Sequence, residues 1–205
     1  FAGLILILSL AVPIGAYVYK NYFQAEQKPS QTVEQIQEEK VSDLTGKILQ
    51  GAEELKKATS REQKAQITKK VISDATERKR EMLNLAEKSP ETFLKLSLSA
   101  EEINSLPSEV QALTEKYTQV AGELSVAHFD NFDNHKSRNE YKIEATNQVY
   151  NIYFADKPVP VNSYGQYTIS GIRLDQKLVL LEANSSNVQK ANNQQKVLGA
   201  SSQIN

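Results

Sequence analysis

The hydrophobic pattern of the chain begins with a continuous apolar run. Residues 1–19 contain no charged side chain, and at about 1.5 Å of helical rise per residue such a run nearly spans a hydrocarbon core of about 30 Å. Tyr17, Tyr19, Tyr22 and Phe23 crowd its far end beside Lys20. Aromatic rings and a snorkelling lysine are typical of a membrane interface. The pattern predicts a transmembrane anchor or signal segment over residues 1–23.

Four interpretations of this segment are possible, and that of a buried core helix is disfavoured because nothing downstream is apolar enough to surround it. A retained anchor explains its length and its aromatic end, whereas a cleaved signal peptide explains Pro13-Ile14-Gly15-Ala16, which breaks the helix before small residues. A pilin-like subunit also begins with Phe and an apolar helix, but pilins typically carry glutamate where this chain has Ile5. A retained anchor or a signal segment carries the rest of the chain across a membrane. We therefore expect a cell-membrane protein whose bulk is extracytoplasmic.

Apolar residues then recur at helical spacing. Residues 24–35 are polar and predict a juxtamembrane linker, and residues 36–116 predict several amphipathic helices. Capping boxes are predicted at Ser60, Ser99 and Ser108, each followed three residues later by Gln or Glu. A stalk or partner-binding bundle and a set of helices packed on the next domain are both consistent with this pattern. The second is favoured because glycines and prolines interrupt any heptad.

From residue 117 the apolar residues alternate, which indicates strands. Five short strands are predicted within residues 117–183, around Val120–Val126, Tyr141–Ala145, Val149–Phe154, Tyr167–Leu174 and Leu178–Leu181. Gly122 lies where a bulge or bend relieves curvature. Closure into a barrel removes exposed edges. The predicted fold class is therefore α+β: a membrane or signal helix, amphipathic helices, then a small five-stranded OB-like β-barrel.

The last residues, 184–205, are mostly Asn, Ser, Gln and Lys. This composition cannot bury enough apolar surface to order itself, so a disordered linker is predicted. We expect the chain to be a piece of a longer protein, with this linker leading to a downstream part.

Several blocks between Ser89 and Ala183 carry a resemblance to a known class of proteins. They read SPETFLKLSL, LPSEVQALTEK, VAGELSVAHFDNF, SRNEYKIEA and YNIYFADKP. Together they resemble the non-catalytic N-terminal region of exported bacterial surface proteins, some of which bear a downstream gametolysin-type metallopeptidase domain. The resemblance implies a zinc site in that later domain. No H-E-x-x-H motif occurs in this chain, so no peptidase residue is transferred to it.

Composition narrows the chemistry. With 24 basic and 25 acidic residues, the chain has no basic field to gather nucleic acid, and it has no cysteine for disulfides or thiolate ligands. Oligonucleotide binding needs basic residues interleaved with exposed aromatic residues. The sequence offers few candidates for such a surface: Lys136, Arg138, Lys142, Tyr150 and Tyr153. The sequence has no nucleophile with a base at a recognisable spacing, no glycine-rich phosphate loop and no metal motif. We expect no enzyme activity, no cofactor and no nucleic-acid partner.

One short segment gathers ligand-type side chains. His128, Asp130, Asp133 and His135 lie within eight residues, and oxygen and imidazole ligands bind calcium or zinc. Their spacing matches no metal loop, so they are weak candidates and no metal site is predicted. The favoured interpretation is a long loop between strands, with Phe129 and Phe132 packed into the barrel and Arg138 pairing with Asp130 or Asp133.

These expectations combine into one functional prediction. The chain is predicted to be a non-catalytic spacer or accessory module of a membrane-tethered, exported bacterial envelope protein, which presents a downstream domain outside the membrane. A prodomain-like region of a secreted metallopeptidase is the alternative, and a pilin-like structural subunit is the second alternative. Its partners are the membrane, through the N-terminal helix, and a protein or downstream domain of the same chain.

Overall fold

The computed structural model describes residues 32–131, 136–160 and 162–191. The chain divides into two units, residues 1–36 and 37–205. In the first unit, Thr32 and Gln35 form a reciprocal cap at the start of the first helix. The Gln35 amide donates to Thr32 Oγ1 over 3.2 Å, and the Thr32 amide donates to Gln35 Oε1 over 2.9 Å. The predicted membrane segment, residues 1–23, lies outside the described residues.

Among the described residues, five helices precede the strands. They are α1 (Val33–Lys57), α2 (Arg61–Lys88), α3 (Pro90–Leu96), α4 (Ala100–Ser105) and α5 (Ser108–Gln111). Helix α1 begins three residues before the predicted helical region. Within the described ranges, no helix is both long enough and apolar enough to cross a bilayer.

The predicted helix caps have different outcomes. Ser60 is the N-cap of α2 and accepts from the Gln63 amide, and Ser99 forms the predicted capping box with Glu102 at α4. The capping box predicted at Ser108 is wrong. Pro107 occupies that N-cap, Ser108 is the first helical residue, and the Gln111 side chain donates to the Leu106 carbonyl over 2.8 Å.

The strands form one six-stranded sheet. They are β1 (Lys116–Asn131), β2 (Lys136–Ala145), β3 (Gln148–Phe154), β4 (Gly165–Leu174), β5 (Lys177–Leu180) and β6 (Val188–Lys190). The order is β1-β2-β3-β5-β4-β6, and β1 also pairs with β4. All pairs are antiparallel except β3 with β5. The pairings of the first five strands therefore return to β1.

Strand β1 is long because it pairs with two different strands along its length. Its first half pairs with β4 as far as Leu124↔Gly165, and its second half pairs with β2 from Glu123↔Glu144 onwards. Gly122 lies at this change of partner. A Cβ atom on Gly122 would lie 2.2 Å from the Glu144 carbonyl oxygen, so the two backbones approach too closely for a side chain.

Apolar side chains form three buried clusters. One consists mostly of strand residues and includes Leu124, Ile143 and Ile169. A second lies among the helices and includes Ile48 and Val71. The third joins helices to strands: it consists of Val41, Met82, Leu85, Ala86, Phe93, Leu174 and Val179. In the second unit, residues 37–205, the helices and strands therefore share part of their apolar core.

Two predictions differ from the observed strands. The predicted loop over residues 128–135 is wrong for residues 128–131, which belong to β1; residues 132–135 lie outside the described ranges. A disordered linker was predicted from residue 184, whereas β6 pairs with β4 from Ile169↔Val188 to Tyr167↔Lys190. Asn184 starts this return, because its Oδ1 atom accepts from the Ser186 amide over 3.0 Å.

Candidate binding groove beside strands β2 and β3

A groove of about 560 Å³ lies between strands β2 and β3 and the C-terminal end of α2. Its lining residues are Glu87, Lys88, Arg138, Asn139, Glu140, Tyr141, Lys142, Asn151, Ile152 and Tyr153. Ligand sites in proteins commonly have volumes of about 300–1,000 Å³. The groove is therefore large enough for a small ligand or a short peptide segment.

Strand alternation separates the core-facing residues from those at the rim. Successive side chains of a strand point to opposite faces, so Tyr141 of β2 and Ile152 of β3 face the core with 8% and 3% exposure. Their Cα atoms are paired across the ladder. The Tyr141 ring meets Phe154 edge to face, with ring centroids 5.2 Å apart. The groove therefore rests on a fixed apolar base.

One end of the groove is built around Tyr153. Its hydroxyl donates to Glu87 Oε1 over 3.4 Å, and Lys177 also donates to Glu87. Lys177 Nζ donates to the Leu83 carbonyl over 2.7 Å and lies 5.9 Å from the centroid of the Tyr153 ring. Burial, reinforced by the Glu87 carboxylate, raises the pKa of Tyr153 to about 12. The hydrogen bond from Lys177 lowers the pKa of Glu87, so this carboxylate stays ionised at neutral pH.

The other side of the groove is a row of charges on β2. Arg138 Nη2 lies 2.9 Å from Glu140 Oε1, and Lys142 Nζ lies 3.6 Å from Glu140 Oε2. The Arg138 side chain is 73% exposed and that of Lys142 is 44% exposed. Arg138 also lies over the Phe129 ring, 5.4 Å from its centroid. Both cations are accessible to a ligand in the groove.

The predicted role of Phe129 and the predicted pairing of Arg138 differ from the structure. Phe129 is 44% exposed and covered by Arg138, because it lies on β1 where the strand has continued past the core. Arg138 pairs with Glu140 on its own strand, since residues two apart on a strand share a face. Packing of Phe129 into the barrel and pairing of Arg138 with Asp130 are therefore wrong.

The weak metal candidates are only partly described. His128 Nε2 lies 3.0 Å from Asp130 Oδ1, and His128 Nδ1 lies 2.6 Å from Asn139 Oδ1 on β2. Asp133 and His135 lie outside the described residues. Among the residues that the structure describes, no three or more His, Cys, Asp or Glu side chains converge on one point. The Asn139 hydrogen bond, with help from Asp130, raises the pKa of His128.

A second polar cluster is buried, and the sequence interpretation missed it. Arg78 of α2 and Glu115 before β1 are each 1% exposed, and their two hydrogen bonds measure 2.8 and 2.9 Å. Arg78 also donates to Thr45 Oγ1 over 2.7 Å and to the Leu96 carbonyl over 2.9 Å. Glu115 accepts from the Leu98 amide over 2.5 Å. The cluster joins α1, α2, the end of α3 and the start of β1.

A signal for this cluster was present in the sequence. Arg78 lies three residues after Ala75 and four before Met82, both on the predicted apolar stripe of α2. Residues at that spacing share a helix face. A lone arginine on such a stripe calls for a buried acidic partner, but the periodicity alone did not identify Glu115.

Every buried side-chain nitrogen and oxygen among the described residues has a hydrogen-bond partner. Comparisons with protein-family models, with curated proteins and with solved structures find no match.

Proposed function

We propose that this chain is a non-catalytic spacer and accessory module of a membrane-tethered, exported envelope protein, holding a further domain of the same protein outside the membrane. The observation that carries the proposal is the buried Arg78–Glu115 cluster together with the shared apolar core. These contacts join helices to strands at several points. A spacer has to hold the further domain at a fixed place relative to the membrane. A rigid unit, whose helices and strands cannot move independently, does this.

The barrel prediction belongs to this proposal. We infer that β1 to β5 close into a small OB-like barrel, supported by the ring of pairings and by a partner change within β1. Closure leaves few exposed edges, which suits a module displayed outside a cell. The pair that completes the ring is β1 with β4, so it gives the sharpest test.

Because the chain has no cysteine, engineered disulfides can test closure without background. Gln119 Nε2 and Ser170 Oγ are 3.2 Å apart across β1 and β4. We expect the Gln119→Cys, Ser170→Cys double variant to form an intramolecular disulfide on mild oxidation, measured by a mass loss of about two hydrogens. A Gln119→Cys, Asn151→Cys control joins β1 to β3 and should stay reduced. Equal oxidation of both variants would argue against a closed barrel.

The tether is tested by fractionation and protease accessibility. The full chain with a C-terminal tag is expressed in a bacterial host beside a variant that lacks residues 1–23. We expect the full chain in the membrane fraction, with its tag cleaved by protease added outside spheroplasts, and the variant in the soluble fraction. Recovery of the full chain from the cytosol would contradict the tether. Removal of residues 24–191 during maturation would favour the prodomain alternative, and filament formation would favour the pilin-like one.

A further inference from the structure

Strand β2 has two neighbours along only part of its length. Its ladder with β1 runs from Glu123↔Glu144 to Asn131↔Lys136, whereas its ladder with β3 runs from Ala145↔Gln148 only to Tyr141↔Ile152. Residues 137–140 therefore pair with β1 on one side, while none of the described strands pairs with their other side. We call this side of residues 137–140 the open edge of β2.

The open edge lies within the groove. Arg138, Asn139 and Glu140 line the groove, and the end of α2, with Glu87 and Lys88, lines its other side. A strand of four residues is about 13 Å long, and alternate residues of such an edge present backbone N–H and C=O groups to the side. The backbone N–H and C=O groups of the open edge therefore face the space between β2 and α2.

The charges around this space favour an acidic ligand. Lys88, Arg138 and Lys142 line the groove together with the carboxylates of Glu87 and Glu140. Glu87 is already held by Lys177, which does not line the groove, so its charge is compensated from outside. The lining cations therefore outnumber the carboxylates that lack a partner outside the groove. The Arg138 side chain is more exposed than those of Lys142 and Glu140.

We propose that the groove binds an extended acidic peptide segment, which adds a strand to the open edge of β2. The peptide backbone hydrogen-bonds to residues 137–140, and its carboxylates contact Arg138 and Lys142 in place of, or beside, Glu140. Strand addition draws affinity from main-chain bonds and specificity from alternate side chains. This function goes beyond the spacer role and is tested without reference to the tether.

The same geometry disfavours single-stranded nucleic acid. Stacking platforms need exposed aromatic faces, but Tyr150 is only 8% exposed and the Tyr153 ring is covered by Lys177. Charged residues on an edge otherwise serve to repel other strands, and the experiment below separates that role from binding.

The test uses the full chain in a mild detergent and three labelled ten-residue probes. The first alternates Glu and Val, the second alternates Lys and Val, and the third is the first with every Val N-methylated. We expect saturable binding, followed by fluorescence anisotropy, for the first probe only. The N-methylated probe keeps its charges but loses donors for the edge. On binding, hydrogen exchange should slow in residues 137–140.

Variants locate the site. The Arg138→Glu, Lys142→Glu double variant should weaken binding by at least about tenfold, because it places repulsive charges beside the acidic peptide. The Lys69→Glu, Lys70→Glu variant makes the same change in net charge on the exposed face of α2 and should leave binding within about twofold. Circular dichroism of both variants checks that they are folded.

Three results would overturn the proposal. Absence of saturable binding up to about 1 mM peptide would mean that the charges only protect the edge. Equal binding of the N-methylated probe would reduce the effect to charge attraction without strand addition. Tighter binding of a ten-residue oligothymidine than of the acidic peptide would assign the groove to nucleic acid.

Discussion

At the scale of single residues, the Arg78–Glu115 pair has the largest consequence. Removing two charges from water costs several kcal/mol per ion, and only good geometry with further hydrogen bonds offsets that cost. Here the guanidinium reaches Glu115, Thr45 and the Leu96 carbonyl, and Glu115 also receives the Leu98 amide. We infer that the pair specifies one arrangement of helices and strands rather than adding much net stability.

Removal of one partner should therefore be costly. Arg78→Met leaves the Glu115 carboxylate buried with a single described donor, the Leu98 amide, and we expect it to lower the free energy of unfolding by about 3–5 kcal/mol. Urea denaturation of the full chain in mild detergent measures this. Arg80→Met, two residues along α2 with a 71% exposed side chain, is the matched control and should cost less than about 1 kcal/mol. Similar losses in the two variants would contradict a structural role of the buried pair.

The ionisation of Tyr153 predicts how the stability of the chain depends on pH. Its pKa is raised to about 12, so the folded state holds this proton more tightly than the unfolded state does. Its contribution to stability is fully present below pH 10 and is lost as pH rises towards 12. We expect the ultraviolet titration of the folded chain to contain a late-ionising tyrosine that Tyr153→Phe removes. Tyr117→Phe, which removes the hydroxyl group of a 76% exposed tyrosine, should leave that late step in place.

At the scale of elements, alternation and periodicity predicted most helices and strands, because each element is half buried and its buried face has a regular period. They missed β6, since Val188 is the only apolar residue of that strand, and its ordering comes from pairing with β4. They also missed the extension of β1 and β2. Residues 128–131 and 137–140 are polar apart from Phe129 because these ends of the strands continue past the core. They form regular structure because they pair with each other.

The glycines of α1 distinguish a packing site from an open helix face. A Cβ atom on Gly51 would lie 2.3 Å from Val71 Cγ2 of α2, whereas a Cβ atom on Gly46 would meet nothing within 4 Å. We expect Gly51→Ala to destabilise the chain by about 1–3 kcal/mol through overpacking. Gly46→Ala should stabilise it by about 0.5–1 kcal/mol through helix propensity. Thermal melts of both variants test this, and stabilisation by Gly51→Ala would show that the helices separate without cost.

At the scale of the whole molecule, the candidate groove could be predicted only in part. The sequence identifies Arg138, Lys142 and Tyr153 as charged or aromatic residues of the strand region. Whether they line one groove together with Glu87 and Lys88 depends on how α2 packs against the strands. That packing is set by the apolar cluster that joins helices to strands, here called the junction cluster, which includes Met82, Phe93 and Val179. Its members lie far apart in the sequence. Periodicity reports which face of an element is buried, not which element covers it.

The shared core predicts that helices and strands unfold together. Phe93 of α3 is a fully buried member of the junction cluster, so Phe93→Ala should lower the free energy of unfolding by about 3–5 kcal/mol. If the parts form one cooperative unit, this substitution lowers the midpoint of the helical signal and that of the near-ultraviolet tyrosine signal equally, although most tyrosines of the strands lie far along the chain from Phe93. Ile143→Ala, within the strand cluster alone, should likewise lower both midpoints. Separate transitions, with Phe93→Ala moving only the helical one, would show that the helices and strands are independent, and a rigid spacer would then have to be abandoned.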